Sequence, residues 1–509
     1  MRTRMKPYLI ALLLGALAAC GFQPWGIWPL TLAAFAGLMW LIADMRRMRG
    51  ALALGWCFGV GHFCVGLNWI ATAFTFQAAM PAWLGWIAVF LLSLYLAVYP
   101  AMTAGIAWKY GRRHPLALVL WFAAAWIATE WLRATMFTGF AWNPAGVALL
   151  DAGGLAAVSK VVGTYGLSGV AMLAAGAWFL LFRRRYRSAA ALAVPITAAA
   201  LALWPAVATE PASTQPRIRI VQPNIGQQDK WRDGFADDIL QRLGELSVAG
   251  VNEPRLLLWP EAAVTEPLED GRRHPLAQNL AARTREQVRS LLQPGDLLLA
   301  GGITIRSQDG LRATSATNSV FAIDATGRTL GRYDKAHLVP YGEYLPMRPL
   351  LSAIGLSRLA PGNLEFDPGP GPRTFDLPIV GRVGFQLCYE IIFSGQVVDR
   401  ADRPNFLFNP SNDAWFGAWG PPQHLAQARL RALEEGLPVL RATPTGISAV
   451  IDADGHLSAS IPAARAAFLD WRLPPPHPPT LFARLGNVLP MLFALLLAAA
   501  AIAVGRKAR

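Results

Sequence analysis

The stretch Val383–Glu390, with the sequence VGFQLCYE, determines how the polar part of this chain is interpreted. An apolar run of the kind that forms buried strands ends at Cys388, and a helical stretch is predicted to begin near Ile391. A strand that stops just before a helix presents the intervening side chain at the edge of a sheet. Three further cysteines lie in apolar segments: Cys20, Cys57 and Cys64. No disulfide framework is therefore predicted, and Cys388 is either a packing residue or a nucleophile.

The region around this stretch alternates between predicted strands and helices. Charges are frequent from residue 208 to about 475, and no apolar run there is long enough to cross a bilayer. The strand-like runs are Ile218–Gln222, Leu256–Trp259, Leu297–Ala300, Ser319–Ile323, Val380–Cys388, Phe406–Phe408 and Ile447–Ile451. Helical stretches between them include 234–248, 276–292 and 421–436. Strands that alternate with helices predict an α/β layered domain over 208–475.

The rest of the chain is strongly apolar. Of 509 residues, 54% are hydrophobic and only 15% are charged, whereas about a quarter of the residues in a soluble domain carry charge. A transmembrane helix needs ~20 apolar residues. Candidate spans are 7–21, 25–43, 52–72, 83–108, 116–134, 156–182, 189–207 and 485–505. We therefore predict seven transmembrane helices in 1–207, the polar domain in 208–475, and an eighth helix with a tail in 476–509.

Basic residues cluster in alternate connections between these spans. The net charge of +14 would suit binding to nucleic acid or to anionic lipid. The clusters precede the first span, follow the second, fourth, sixth and eighth, and are absent from loops 22–25 and 73–82. Cytoplasmic loops carry an excess of Lys and Arg, so both termini are predicted to be cytoplasmic and the polar domain periplasmic, at a bacterial inner membrane. The clusters are then topology signals, and no nucleic-acid partner is expected.

The N-terminus also resembles a lipoprotein signal peptide, with a basic start, an apolar stretch and Leu17–Cys20 as a cleavage motif. Cleavage would leave Cys20 as the first residue. Because Gly21–Gly26 leads straight into the next span with no polar tether, we expect residues 1–20 to be retained.

Two further motifs place charged side chains after predicted strands. In one, an apolar run stops at Pro260 and Glu261 follows; the other, Arg332–Glu343, contains Lys335. A thiol is only a few per cent ionised at neutral pH and needs a base. Glu261 is the candidate base, with a pKa raised by burial. Lys335 is the candidate cation for an oxyanion, and Glu343 would hold Lys335 and the thiol in place.

Ordinary structural roles compete with this interpretation. A buried cysteine is a common packing residue, and Glu261 and Lys335 would also suit a surface ion pair. His337 and His424 invite a Cys–His interpretation, but nothing in their spacing favours either of them. No group of His, Cys, Asp and Glu has the spacing of metal ligands, so neither a metal nor another cofactor is expected.

Taken together, the motifs resemble the nitrilase superfamily, an αββα sandwich with a Glu–Lys–Cys triad. The order matches: Glu261 in WPE, Lys335 in YDKxHLVPYGE and Cys388 in CYE. With its apolar spans included, the chain is similar, end to end, to bacterial apolipoprotein N-acyltransferases. The matching stretches are Gly21–Leu30, Glu130–Gly139, Val221–Trp231, Ser411–Gly417 and His424–Glu435.

This resemblance implies a specific reaction and specific partners. A phospholipid, phosphatidylethanolamine, would donate a fatty acyl chain to Cys388 as a thioester, and the α-amino group of a diacylglyceryl-cysteine apolipoprotein would accept it. Membrane lipids surround both substrates. The resemblance assigns the catalytic positions to Glu261, Lys335 and Cys388. Supporting positions fall to Trp231, Glu343, Tyr389 and Glu390.

Two local features bear on this assignment. The family has Asn where this chain has Pro444, within Arg441–Gly446, which removes a polar side chain and a backbone donor. An aromatic group follows Cys388 at a distance: Trp415, Phe416 and Trp419. These rings are expected either to form a lid that touches lipid or to pack in the core of the domain.

Two other functions fit parts of the pattern. A membrane-tethered nitrilase-like amidohydrolase would share the triad and use water as the acceptor, although a small soluble substrate does not require eight spans. A transporter or scaffold with a catalytically inactive outer domain would need charges inside the membrane. Glu130 and Arg133, near the outer end of the fifth predicted span, form one apparent pair.

Overall fold

The computed structural model describes residues 2–76, 81–204, 211–230, 234–248, 253–353 and 364–507. Its N-terminal part is a bundle of apolar helices. These are α1 (Arg2–Ala19), α2 (Trp28–Ala43), α3 (Met48–Gly66), α4 (Ile70–Ala73), α5 (Leu84–Leu96), α6 (Val98–Gly111), α7 (Pro115–Thr135), α8 (Ser159–Phe182) and α9 (Tyr186–Ala202). Short 3-10 helices lie at Phe74–Phe76, Ala145–Leu149 and Leu155–Val158.

The polar part is built from strands and a few helices. The strands are β1 (Arg217–Gln222), β2 (Arg255–Leu258), β3 (Glu269–Asp270), β4 (Leu297–Arg306), β5 (Ser315–Asp324), β6 (Thr329–Asp334), β7 (Thr374–Leu377), β8 (Gly381–Phe385), β9 (Phe406–Pro410), β10 (Val439–Ala442), β11 (Ser448–Ile451), β12 (Leu457–Ile461) and β13 (Ala467–Arg472). The helices are α10 (Gln227–Lys230), α11 (Ala236–Ser247), α12 (Pro275–Ser290), α13 (Arg348–Ala353) and α14 (Gly420–Glu435), with 3-10 turns at Cys388–Ile392 and Asp413–Trp415. The chain then returns to the bundle through α15 (Leu481–Leu485) and α16 (Val488–Lys507).

Several helices of the bundle are suited to lipid. Five segments are long and apolar enough to cross a membrane: Met48–Gly66, Leu84–Gly111, Pro115–Thr135, Leu155–Phe182 and Val488–Arg506. Three apolar helices are shorter: Met5–Ala19, Trp28–Ala43 and Tyr186–Ala202. Each of these segments overlaps one predicted span, whereas the count of eight crossings and their orientation stay predictions.

Two of the predicted spans are interrupted in the structure. The third was predicted to reach residue 72, but α3 ends at Gly66 and a turn leads into α4. The fourth is two helices, because α5 ends at Leu96 and α6 begins at Val98. Pro100 has no N–H to donate to the carbonyl of Leu96, so the hydrogen-bond ladder is interrupted there.

The strands form two sheets whose parallel segments end at the same edge. One sheet has the order β13-β1-β2-β4-β5-β6 with β3 beside β4, and the other has the order β12-β11-β10-β9-β8-β7. Strands β1, β2 and β4 are parallel, as are β8, β9 and β10. The carboxyl ends of β2 and β6 lead into Glu261 and Lys335, and the turn after β8 carries Cys388. Sheet topology therefore brings these side chains to one edge.

The sheets face each other across an apolar core. Side chains from both sheets fill it, among them Ile220, Leu258 and Val320 from one sheet and Phe385, Phe408 and Leu440 from the other. Helices α11 and α12 cover the outer face of the first sheet, and α14 covers that of the second. The αββα layering implied by the resemblance is thus confirmed.

Helix α14 joins the two parts of the molecule, since its apolar side chains belong to the same buried core as those of the bundle. Gly163 interrupts α8 with φ +67°, which frees the backbone N–H of Thr164. That N–H and the Thr164 hydroxyl donate to Glu434 Oε2 at 3.1 and 2.7 Å. Lys160 forms an ion pair with Asp454 nearby. The polar domain is therefore fixed to the bundle by packing and by buried polar contacts.

Candidate active site

A buried ammonium lies between two carboxylates at the shared edge of the sheets. Lys335 Nζ is 3.3 Å from Glu261 Oε1 and 3.0 Å from Glu343 Oε2. Asn318 Nδ2, from β5, donates to Glu261 Oε1 at 2.7 Å and to Glu343 Oε1 at 2.9 Å. The backbone N–H of Val339 donates to the other oxygen of Glu343 at 2.8 Å. Lys335 is only 1% exposed, so this charge cluster is shielded from water.

Cys388 faces this cluster from the other sheet. The charges of Glu261 and Lys335 and the backbone N–H of Asn412 all act on the pKa of its thiol, so the thiol lies beside these groups. The strand that precedes it ends at Phe385, three residues earlier than the sequence predicts, and Cys388 starts a 3-10 turn with φ +49°. Few residues other than glycine adopt this backbone conformation, which recurs at functional sites. The turn ends the alternation of the strand and keeps the thiol near the charge of Glu261.

The charges fix the resting protonation states of the pair. Burial raises the pKa of the Glu261 carboxyl, but Lys335, the Asn318 hydrogen bond and Lys230 outweigh it, and the pKa lies below its usual value. Burial and the Glu261 charge both raise the pKa of the Cys388 thiol. The expectation of a raised Glu261 pKa was therefore wrong, because the buried carboxylate lies beside the Lys335 ammonium, which stabilises its charged form. At rest the pair is a carboxylate and a neutral thiol.

Lys335 stays protonated in this environment. Burial alone would lower the pKa of its ammonium, but the adjacent carboxylates of Glu261 and Glu343 raise it above its usual value. A lysine that keeps its proton acts as a fixed charge and does not exchange protons during a reaction. The geometry therefore suits Lys335 to stabilising an oxyanion and suits Glu261 to accepting a proton.

Glu390 connects the loop of Lys335 to the turn of Cys388. Its Oε1 accepts from the Tyr333 hydroxyl and from the N–H groups of Ala336 and His337, at 3.0, 2.8 and 3.1 Å. Its Oε2 accepts from the N–H of Leu387 at 2.7 Å. Burial raises the pKa of this carboxyl to about 7, although these donors lower it. Glu390 thus sets the spacing between the lysine and the thiol without contacting either.

Tyr389 and His337 connect the site to the bundle. The Tyr389 hydroxyl donates to the carbonyl oxygen of Gly139 at 3.3 Å, and His337 Nε2 lies 3.1 Å from that of Thr138. The His337 ring also stacks on Phe393 with 3.9 Å between centroids. His337 therefore has a docking contact and does not approach the thiol as a base.

His424 lies behind Cys388 in a fully buried network. Its Nε2 is 3.0 Å from the carbonyl oxygen of Cys388, and its Nδ1 is 3.0 Å from Asp413 Oδ1. Arg441 donates to both oxygens of Asp413 at 2.8 and 2.7 Å. These residues come from α14, a 3-10 turn and β10, and no local pattern in the sequence connects them. They hold the backbone of Cys388 and not its sulfur.

The aromatic group is divided between core and interface. Phe416 is buried, with its ring centroid 4.6 Å from that of Trp69, so it is a packing residue. Trp415 and Trp419 are partly buried and contact rings of the bundle, Phe76 at 5.9 Å and Trp25 at 5.0 Å between centroids. A lid role stays a prediction for these two tryptophans only.

Trp415→Ala is expected to weaken the use of phospholipid more than it weakens the fold. Losing one aromatic contact with an acyl chain corresponds to about 1.5 kcal/mol, or a roughly tenfold higher KM for phospholipid. Phe416→Ala, the matched core variant, is expected to lower the free energy of unfolding by about 3–5 kcal/mol. Steady-state kinetics and chemical unfolding of both variants check this. A Trp415 variant with normal kinetics and reduced stability would assign the residue to the core.

Two further positions singled out in the sequence are Trp231 and Pro444. Trp231 lies outside the described residues. Pro444 follows β10, and its carbonyl oxygen accepts from the N–H of Asn224 at 2.8 Å, so the turn is anchored by an acceptor that proline retains. Within the described ranges, no three His, Cys, Asp or Glu side chains are grouped as metal ligands.

Sequence comparison matches the two parts of the chain to two family models. Residues 14–177 match the apolipoprotein N-acyltransferase N-terminal domain, and residues 217–466 match the carbon-nitrogen hydrolase family. An apolipoprotein N-acyltransferase of Rhodopseudomonas palustris is 36% identical, covering 95% of this chain and 92% of its own. This chain belongs to the apolipoprotein N-acyltransferase family. Proteins of the same name from Bradyrhizobium diazoefficiens and Brucella suis are 34% and 33% identical, covering 95% and 97% of this chain and 92% and 94% of their own.

Membership of the apolipoprotein N-acyltransferase family makes the protein a membrane acyltransferase. The carbon-nitrogen hydrolase match, 217–466, includes Glu261, Lys335 and Cys388. The N-terminal match covers the bundle from α1 to α8. Both parts that the structure joins through α14 thus belong to the same family pattern.

Proposed function

We propose that this protein transfers a fatty acyl chain from a phospholipid to the α-amino group of a diacylglyceryl-cysteine apolipoprotein, through a thioester on Cys388. The observation that carries the proposal is the buried Lys335 ammonium, which lies between the carboxylates of Glu261 and Glu343. The Cys388 thiol is close enough for the charges of Glu261 and Lys335 to act on its pKa. Nucleophile, base and cation lie together in a site closed to water. Phosphatidylethanolamine is the donor implied by the resemblance.

The first half-reaction would load the enzyme. Glu261 takes the thiol proton as the Cys388 sulfur attacks the ester carbonyl carbon, and a C–S bond forms while negative charge moves to the carbonyl oxygen. Lys335 stabilises that oxyanion, together with nearby N–H groups. The C–O bond then breaks, and the lysophospholipid leaves with the proton from Glu261. The product is an acyl thioester on a closed, water-poor site.

The second half-reaction would release the chain to the acceptor. The lipoprotein amine attacks the thioester carbonyl carbon, and Glu261 accepts a proton from its nitrogen. The C–S bond breaks as the oxyanion collapses, and the Cys388 sulfur recovers the proton from Glu261. Each group returns to its starting state, and no step requires a metal or an organic cofactor. Exclusion of water favours the amine over hydrolysis.

The topology that fits this reaction has eight spans, with both termini in the cytoplasm and the catalytic domain in the periplasm. The catalytic domain contacts the bundle at the connections that lack basic clusters, for example Gln23 and Trp25 between α1 and α2. The basic connections lie at the other end, where Arg183 pairs with Asp44. Lys and Arg mark cytoplasmic loops. This arrangement supports a periplasmic site at the inner membrane, where both substrates keep their acyl chains in lipid.

The test is the intact mass of the purified full-length protein in detergent after mixing with phosphatidylethanolamine of one acyl composition. We expect a mass increase of one acyl group, located by digestion on the peptide that contains Cys388, and its loss when a diacylglyceryl peptide is added. An N-acylated peptide should appear in the same amount. Release of free fatty acid without N-acyl peptide would indicate a hydrolase, and no adduct at all would reject the thioester.

A further inference from the structure

A second buried lysine faces the site from the first sheet. Lys230 ends α10, the short helix that follows β1, and is 5% exposed. Its Nζ donates to the backbone carbonyl oxygen of Glu261 at 2.9 Å. This hydrogen-bond partner is a neutral oxygen, unlike the carboxylates that hold Lys335. Burying an ammonium with only a carbonyl oxygen as its partner costs free energy unless a nearby negative charge compensates for the lost hydration.

Lys230 balances the charge of the buried site. Glu261 and Glu343 bring two negative charges, and Lys335 brings one positive charge, so these three alone leave the buried site at −1. A protonated Lys230 makes the sum zero. When the Cys388 proton moves to Glu261, the negative charge moves to the sulfur, and later to the oxyanion, but the sum does not change. A neutral sum avoids the penalty of an unbalanced charge in a low-dielectric site.

We propose that Lys230 is a positioning residue whose ammonium keeps the buried site neutral while negative charge passes from Glu261 to the Cys388 sulfur and then to the oxyanion. The inference rests on the proposed thioester mechanism. The competing role is structural, in which Lys230 only holds the Pro260–Glu261 turn through its hydrogen bond. A neutral side chain that still donates a hydrogen bond distinguishes the two roles, because it could hold the turn but could not balance the charge.

The titratable groups that face Lys230 are Glu261, on the turn after β2, and Cys388, on the turn after β8. Burial lowers the pKa of the Lys230 ammonium to about 8, although both of these groups raise it. Lys230 is charged below this pH and loses its charge above it, so loading of the wild-type enzyme should decline as the pH rises through about 8.

The experiment measures single-turnover acylation of Cys388 by phosphatidylethanolamine between pH 6 and 10, using intact mass. Lys230→Gln keeps a donor but removes the charge, and we expect acylation about 100-fold slower with no decline near pH 8. Lys230→Arg keeps the charge at all these pH values. We expect it to recover most of the rate and to lose the alkaline decline. Lys160→Gln, which removes a lysine from the distant ion pair with Asp454, should reproduce the wild-type profile.

A Lys230→Gln variant that acylates within threefold of wild type and keeps the decline near pH 8 would overturn the proposal. If that variant does not fold, the test rests on Lys230→Arg. A decline in its acylation rate near pH 8 would also overturn the proposal, because arginine keeps its charge at that pH. Alkylation of Cys388 by iodoacetamide gives a readout that needs no lipid. Lys230→Gln should slow it about tenfold at pH 7.5, equal to about one unit in thiol pKa. Suppose that Lys230→Gln slows alkylation as expected but the wild-type protein forms no acyl adduct. That result would reject the proposed function and still support the effect of the Lys230 charge on the Cys388 thiol.

Discussion

Cys388→Ala is expected to remove acyl transfer, with the single-turnover rate reduced by at least about 10⁴-fold. The variant lacks the atom that would carry the acyl chain, and no other cysteine contacts Glu261 or Lys335 in the described part of the chain. The fold should survive, because alanine loses only the sulfur and shares the cost of φ +49° with cysteine. The measurements are N-acyl peptide formation, intact mass after mixing with phospholipid, and the thermal unfolding midpoint in detergent.

Cys388→Ser provides the matched control for this variant. Its hydroxyl keeps a donor for Glu261 but is a weaker acid and a poorer leaving group, so we expect slow loading and an ester that persists. A trapped ester located at residue 388 would identify the position chemically. Near-wild-type transfer by Cys388→Ala, with the same product, would remove this residue from the mechanism.

Lys335→Met is expected to damage both the reaction and the fold. The variant leaves Glu261 and Glu343 buried together, with Asn318 as the donor that they share among the described residues. Breaking a buried ion pair by removing one partner costs about 3–5 kcal/mol of unfolding free energy. Loss of an oxyanion donor costs about 10²–10³-fold in rate. Chemical unfolding in detergent and single-turnover acylation measure the two effects separately.

The pH dependence of that loss tests its electrostatic origin. Without the lysine, the two carboxylates repel each other, and the pKa of one of them rises. The group is then protonated in the folded state at a pH where it is ionised in the unfolded state, so the destabilisation should shrink as the pH falls from 8 to 5. Lys160→Met, which breaks an ion pair at the domain contact, should cost less and show no such trend. An equal loss at all pH values would indicate lost packing instead.

The architecture was largely predictable because strands buried on both faces have a simple signature. Leu256–Leu258 and Leu297–Ala300 are continuous apolar runs in which every residue is buried. The strands that were missed are short or half-exposed. Along β13, for example, exposed and partly buried residues alternate and one of them is Asp470. The pairing of β13 also depends on a strand hundreds of residues away, since Arg217 of β1 lies opposite Arg472.

The site was predictable only where it follows the strands. Glu261, Lys335 and Cys388 come directly after apolar runs and turns, so position along the chain identified them. Asn318 lies within β5 and looks like an ordinary strand residue, yet it donates to both carboxylates. Lys230 lies just before Trp231 in the stretch Val221–Trp231. Its contact with Glu261 depends on how β1 and β2 pair. A local sequence pattern does not predict which residues lie close together across a sheet, and so it does not predict the pKa shifts that their contacts cause.

The continuous core between α14 and the bundle constrains how the protein is made. Leu430 and Leu433 of α14 share one buried cluster with Leu167 and Tyr165 of α8. The α14 face of the catalytic domain is therefore covered only when the helices of the bundle pack against it. A fragment cut at residue 211 would expose this apolar face and leave Glu434 without Thr164. We therefore expect the catalytic domain to need the helical bundle in order to fold stably.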